Sequence, residues 1–118
     1  MTEVKITELA GSEDELINLP PNGKYYKFEL LDGDGKIVTR SFVREKQTCW
    51  RIEEFNTIDK KDENKGYGSE LLNAICCYII NFNDGKVIRV HPSYLEFREW
   101  FKKRGFGYED AKELCYTG

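Results

Sequence analysis

Histidine appears once in this chain, at His91, proline only three times, and no apolar run outlasts residues 74–80. Such a run is far too short for a membrane-spanning helix, which takes about 20 residues. The opening Met-Thr-Glu-Val-Lys-Ile-Thr-Glu has no basic stretch leading into an apolar one. No signal peptide is therefore expected, and the expected location is cytoplasmic. Neither sign of charge dominates: 18 Lys and Arg stand against 21 Asp and Glu, a net charge of −3. That balance speaks against non-specific nucleic-acid binding, so neither nucleic acid nor membrane is expected as a partner. The four cysteines show no metal-type spacing with the single His91, so no metal site is expected. Cys76 and Cys77 are neighbours on a predicted helix and point in different directions. All four cysteines read as buried free thiols of a reducing compartment.

What is present is enough apolar material, 40% of 118 residues, for one core, and residues 1–118 read as one domain. The most informative segment is Glu63-Asn64-Lys65-Gly66-Tyr67-Gly68-Ser69-Glu70-Leu71-Leu72. It follows an apparent strand over residues 49–58 and opens a predicted helix over residues 66–80. A strand, a glycine loop and a helix start gather unpaired main-chain N–H groups at the positive end of a helix dipole. Glycine lets a ligand approach that main chain, so the segment suits phosphate. Two phosphate loops are excluded by spacing. No Lys-Ser or Lys-Thr follows the glycines, and Leu71 stands where a G-x-G-x-x-G loop needs its third glycine.

The segment instead resembles the acyl-CoA pyrophosphate loop of the GNAT superfamily of N-acyltransferases, Gln/Arg-x-x-Gly-x-Gly/Ala. Both glycines fit, and Glu63 stands where that family has Gln or Arg. The resemblance continues through a turn at Asn83-Asp84-Gly85, a strand over residues 86–91 stopped by Pro92, and a helix over residues 94–104 ending at Gly105-Phe106. Aligned on that Gly-Phe, the family's Asn falls on Tyr94, its Ala on Phe97, its Leu on Trp100 and its Tyr on Phe101. The resemblance covers about residues 24–108.

Upstream, residues 2–9 alternate as a half-buried strand, and residues 11–19 carry a Ser cap and acidic first turn of a short helix stopped by Pro20-Pro21. Residues 24–31 and 37–43 flank Asp32-Gly33-Asp34-Gly35 as a hairpin. A calcium loop starting at Asp32 fails on Ile37 and Val43, where it needs Gly and Glu. The tail leaves room for at most one short strand near residues 114–116. The expected class is α/β (α+β). The resemblance implies a mixed, mostly antiparallel sheet with splayed central strands and helices on both faces.

The resemblance also implies the chemistry. Acetyl-CoA would be the acyl donor and a primary amine the acceptor, either a small molecule or a protein lysine or N-terminus. Main-chain groups near Ile58 would pair with the pantetheine arm. Asn64, Lys65, Gly66, Tyr67, Gly68 and Ser69 would hold the pyrophosphate, with Phe101 beside the cofactor at the family's tyrosine position. The lysines of the second helix could screen the phosphates. Alternation puts Ile52, Glu54, Asn56 and Ile58 on one strand face and Glu53, Phe55 and Thr57 on the other. The resemblance places the general base an even number of residues before the position matched by Ile58, which implies Glu54, and Glu53 only where a bulge shifts the register. Phe101 has no proton to give a leaving thiolate, so either another group (Tyr94 as the candidate, or Ser93 or His91) substitutes as acid, or the thiolate leaves unaided. Glu53, Glu54, Asp59, Asp62 and Glu63 place negative charge at the proposed mouth, which suits a cationic amine. The competing class is a catalytically silent GNAT-like module that binds CoA or a protein partner. The residues leave the oligomeric state open, a homodimer being among the options.

Overall fold

A computed structural model describes residues 1–9, 19 and 23–118. The expected helix over residues 11–19 lies outside the described residues, apart from Leu19, and with it the expectation of a helix on the second sheet face.

Strands β1 (Glu3–Leu9), β2 (Lys24–Leu31), β3 (Ile37–Glu45) and β4 (Cys49–Thr57) form an antiparallel meander. The β2–β3 turn is built by Asp32, whose carboxylate accepts from the N–H of Asp34 at 2.9 Å and of Lys36 at 3.0 Å. Gly35 there takes φ +80°, which a side chain would resist. Helix α1 (Tyr67–Ile80) then crosses to β5 (Val87–Val90), which pairs with β4 in parallel. It is the sole parallel pairing among the described strands. A hairpin of β6 (Tyr108–Asp110) and β7 (Glu113–Cys115) completes the sheet in the order β1-β2-β3-β4-β5-β7-β6. The sheet is thus mixed and mostly antiparallel, as expected.

The tail holds two strands where one was expected. Its turn sets Ala111 at φ +51° and Lys112 at φ +65°, the paired left-handed residues of a tight hairpin. Ala-Lys carries none of the Asn-Gly or Asp-Gly chemistry that announces such a turn. The second helix also differs. Pro92 to Phe97 wind as a 3-10 helix, and only α2 (Arg98–Lys102) is α-helical. Pro92 has no N–H, and the N–H of Tyr94 bonds to the His91 carbonyl at 3.0 Å, an i to i−3 link. Tyr94, Phe97 and Trp100 recur every third residue, the 3-10 repeat rather than the 3.6 of an α-helix.

The core lies on one sheet face. Leu71, Leu72, Ile75, Cys76 and Ile79 of α1 meet Phe28, Leu30, Trp50, Ile52, Ile88 and Val90 from the sheet, with Phe101 and Phe106 from the α2 region in the same cluster. Each such side chain, fully buried, contributes about 1.5–3 kcal/mol. The other face carries a smaller cluster of Leu9, Tyr25 and Phe42, against which Leu19 packs. No described helix is long and apolar enough to cross a membrane.

Candidate functional site

The start of α1 is bare. Gly66 caps it with φ +83° and no side-chain hydrogen bond, and the first helical link is Glu70 N–H to the Gly66 carbonyl at 3.1 Å. The N–H groups of Tyr67, Gly68 and Ser69 precede that link and have no acceptor in the helix. Nothing lies within 4 Å of where a Cβ on Gly66 would stand, so the main chain there is open to a ligand. Gly68 is needed for another reason: a Cβ there would sit 3.3 Å from Trp100 Cζ2 and 3.6 Å from Phe55 Cε1. Of the paired glycines, the first provides the bend and the second makes room for the Trp100 ring.

Cations surround this helix start. Arg104 donates from Nε to Ser69 Oγ at 2.6 Å and from a terminal nitrogen to the Trp100 carbonyl at 2.8 Å, and it stacks 3.9 Å from the Trp100 ring centre. A guanidinium at the positive end of a helix is repelled by the dipole, and an arriving anion relieves that repulsion. Lys65 bonds to the buried Asp62 at 3.2 Å, and Lys36 of the β2–β3 turn bonds to its other oxygen at 3.1 Å. Burial alone would raise the Asp62 carboxyl, but the bonds from Lys36 and Lys65 outweigh it and hold the group below the usual carboxylate range. Asp62 thereby anchors the loop to the hairpin. A cleft of about 170 Å³ opens beside Ser69, Asn73, Cys76, Arg104 and Tyr116. Pockets that enclose small ligands start at about 300 Å³, so a ligand here would lie along the surface.

Beside the loop, β4 parts from β5. Their ladder ends at Ile52 opposite Val90, followed by one link from the His91 N–H to the Ile52 carbonyl at 2.9 Å. Pro92 then turns the chain away, and on the other side β4 bulges. Phe42 pairs with Glu54 but Val43 with Ile52, leaving Glu53 without a partner. The bulge corrects the alternation read from the sequence. Glu54 faces Phe42 of the smaller cluster, and Glu53 reaches Arg44 on that same side of the sheet, whereas Ile52 joins the main core and Phe55 packs against it. Glu54 and Asn56 do share a face, with the Asn56 amide donating to Glu54 at 2.9 Å, but Ile52 lies on the opposite one.

The two glutamates now have different surroundings. The Glu53 side chain is fully buried and held by Arg51 at 2.7 Å and Arg44 at 3.2 Å, so it is neutralised in place. Glu54 is half-buried with an uncharged partner. The mouth is less acidic than the sequence suggests, since Asp59 pairs with Lys36 and Lys61 and Asp62 with Lys36 and Lys65.

Tyr94 closes the gap. Its hydroxyl accepts from the Phe55 N–H at 2.7 Å and lies 3.3 Å from the Phe55 carbonyl, to which it donates. Burial pushes its hydroxyl pKa up and the nearby Glu54 carboxylate adds to this, with the Phe55 N–H opposing both. The Ile58 N–H bonds to the Val38 carbonyl at 3.0 Å, toward β3. By alternation the main chain of Phe55 and Thr57 faces the gap instead. Phe101 is 2% exposed, deep in the core between Phe55 and Phe106. His91 and Ser93 engage each other, with His91 Nδ1 2.9 Å from Ser93 Oγ. Cys49, Cys76 and Cys115 are buried and free, but Cys77 is exposed, against expectation, because it lies on the outer side of α1. Among the described residues no group of His, Cys, Asp or Glu could hold a metal ion.

Sequence reasoning missed Arg104. The basic run at the end of α2 was visible, but lysines were expected near the phosphates, and only the fold brings the arginine to Ser69.

No family model matches the chain, and no curated protein matches it. Solved structures do. The chain is similar to YhhK from E. coli, solved bound to coenzyme A, with 11% identity over 98% of this chain and 99% of that one at a TM-score of 0.62. It is similar to a GNAT-family acetyltransferase from Staphylococcus aureus, with 11% identity over 87% and 82% of the two chains at 0.58. A chain of the KacTA–DNA complex matches at 13% identity over 97% and 92%, at 0.65. The chain therefore has the GNAT fold.

Proposed function

We propose that this chain binds an acyl-CoA, acetyl-CoA in the first instance, and passes the acyl group to a primary amine of a small molecule or of a protein. The observation that carries the reading is the left-handed turn at Gly66. It bares the N–H groups of Tyr67, Gly68 and Ser69 beside the point where β4 leaves β5. The residues present fit a diphosphate, because the Cβ position at Gly66 is open and Arg104 and Lys65 stand close by. Asn64, at φ +67°, completes the bend before Lys65. Bound acyl-CoA supplies a thioester carbonyl for the amine to attack. Glu54 is the proton acceptor in this reading, since Glu53 is held by two arginines. Tyr94 is the hydroxyl nearest the gap that could protonate the departing thiolate, and Phe101 is an apolar wall. Proximity alone can supply about 7–11 kcal/mol of such a barrier.

A second reading is favoured by one specific feature. Phe101, buried at the family's tyrosine position, and Trp100, resting on Gly68, fill the groove side with groups that cannot donate a proton to sulfur. A chain so built could bind CoA without turnover. Calorimetry with acetyl-CoA, followed by thiol release across an amine panel, decides between them. Binding with release supports the transferase, binding without release supports the silent module, and no binding ends both.

A further inference from the structure

The hydrogen bonds at Phe55 bear on how such a donor could enter, and this inference rests on the reading just given. Phe55 is the first residue past the bulge whose main chain faces the gap left by β5. An extended amide chain lying in that gap would pair with the Phe55 N–H and C=O as an added strand does. Both groups are already satisfied by one hydroxyl, that of Tyr94. We propose that Tyr94 is an autoinhibitory residue, occupying the main-chain position on β4 that the pantetheine arm of a CoA thioester must take, so that the hydroxyl leaves as the arm enters.

The element that carries Tyr94 suits such a movement. It sits in the 3-10 helix Pro92–Phe97, which has no fully buried residue, though Tyr94 and Leu95 pack half-buried against the core; the Tyr94 ring lies edge-on 6.3 Å from Phe101 and tilted 6.5 Å from Phe97 between centres. Short 3-10 segments whose side chains are only partly buried open more readily than the core elements they pack on. The diphosphate loop at Gly66 makes no hydrogen bond to Tyr94, so the two parts of the ligand are read separately: the phosphates by α1, the arm by the gap.

The test uses two ligands and the whole chain. Dissociation constants are measured by calorimetry for coenzyme A and for 3′-phospho-ADP, which keeps the phosphates and lacks the arm. Tyr94→Phe removes the competing hydroxyl and keeps the ring, and Tyr94→Leu, which removes the ring as well, is run beside it. The expected result is that either variant binds coenzyme A at least about fivefold tighter than the natural chain, the effect of removing the two hydrogen bonds that the hydroxyl makes to Phe55, at roughly 0.5–1.5 kcal/mol each. Affinity for 3′-phospho-ADP stays within about twofold. Unchanged or weaker binding of coenzyme A overturns the proposal, and a parallel change for both ligands makes Tyr94 a structural residue and overturns it too. If no form of the chain binds either ligand, the acyl-CoA reading itself falls.

Discussion

Replacing the paired glycines one at a time separates two physical roles that look alike in sequence. At Gly66 φ is +83° and the Cβ position is empty for 4 Å, so Ala there meets no neighbour, only left-handed backbone strain. That strain costs about 1–2 kcal/mol, partly offset by about 0.4–1 kcal/mol from the stiffer unfolded chain. A net loss on the order of 1 kcal/mol lowers Tm by about 3–6 °C in a domain this size. Gly66→Asn, which tolerates left-handed backbone, should lose about half as much. At Gly68 the backbone is helical, and Ala gains up to about 1 kcal/mol of helix propensity. Against that gain stands the 3.3 Å approach to Trp100, whose ring is stacked on Arg104 and must shift by a few tenths of an ångström. The two terms nearly cancel, and Gly68→Ala should lie within about 1 kcal/mol of the natural chain. Thermal unfolding followed by circular dichroism measures both. A Gly66→Ala variant with an unchanged Tm would show that the helix does not start from a left-handed residue. The proposed diphosphate site would then lose its geometry.

Four further outcomes follow from the structure. Removing Glu53 leaves Arg44 and Arg51 without their shared carboxylate, so Glu53→Ala should cost about 3–5 kcal/mol in denaturant unfolding. Half-exposed Glu54→Ala should cost about 0.5 kcal/mol or less and, in the proposed reaction, slow amine acylation by about 10²–10⁴-fold. Asp62 has its folded pKa held below the unfolded one, so its contribution is complete above the unfolded value of about 3.9 and is lost as pH falls through the folded value. Accordingly, the Tm gap between the natural chain and Asp62→Asn should be constant near neutral pH and narrow as pH falls below about 4; a gap that does not narrow in acid refutes this assignment. Burial pushes the Cys76 thiol up to about 12 and covers Cys49 and Cys115, whereas Cys77 is exposed. A thiol reagent at pH 8 should therefore modify one cysteine quickly in the folded chain and all four in denaturant.

The legible parts of the fold were those with a local signal. β2 was readable to the residue because Tyr25, Tyr26 and Phe28 precede Asp-Gly-Asp-Gly, and α1 because its apolar side chains recur at helical spacing after two glycines. The β6–β7 hairpin was not readable, since Ala111 and Lys112 adopt positive φ with no residue that prefers it. The second helix carried an aromatic at every third position. That is a 3-10 repeat, but it passes for an amphipathic α-helix over so few turns. In the candidate site, the loop was visible because glycine is a backbone signal. Arg104 was hidden because the contact that matters joins residues 69 and 104, and no local pattern records it.

The bulge at Glu53 was the least visible feature and has the widest consequences. A bulge is a mismatch between two strands, so it exists only in the pairing of β4 with β3. Once one residue is left over, Glu53 and Glu54 turn to the same side, and one is buried between arginines while the other stays half-exposed beside Asn56. The same extra residue bends β4 just where its last link to β5 is made, at Ile52. Phe55 then meets open space instead of β5, and a main-chain N–H in that position must find another acceptor. Tyr94 provides it. A chain with Glu53 deleted would restore regular pairing of β4 with β3 through Phe42, while Pro92 would still end β5 and leave the gap that Tyr94 fills.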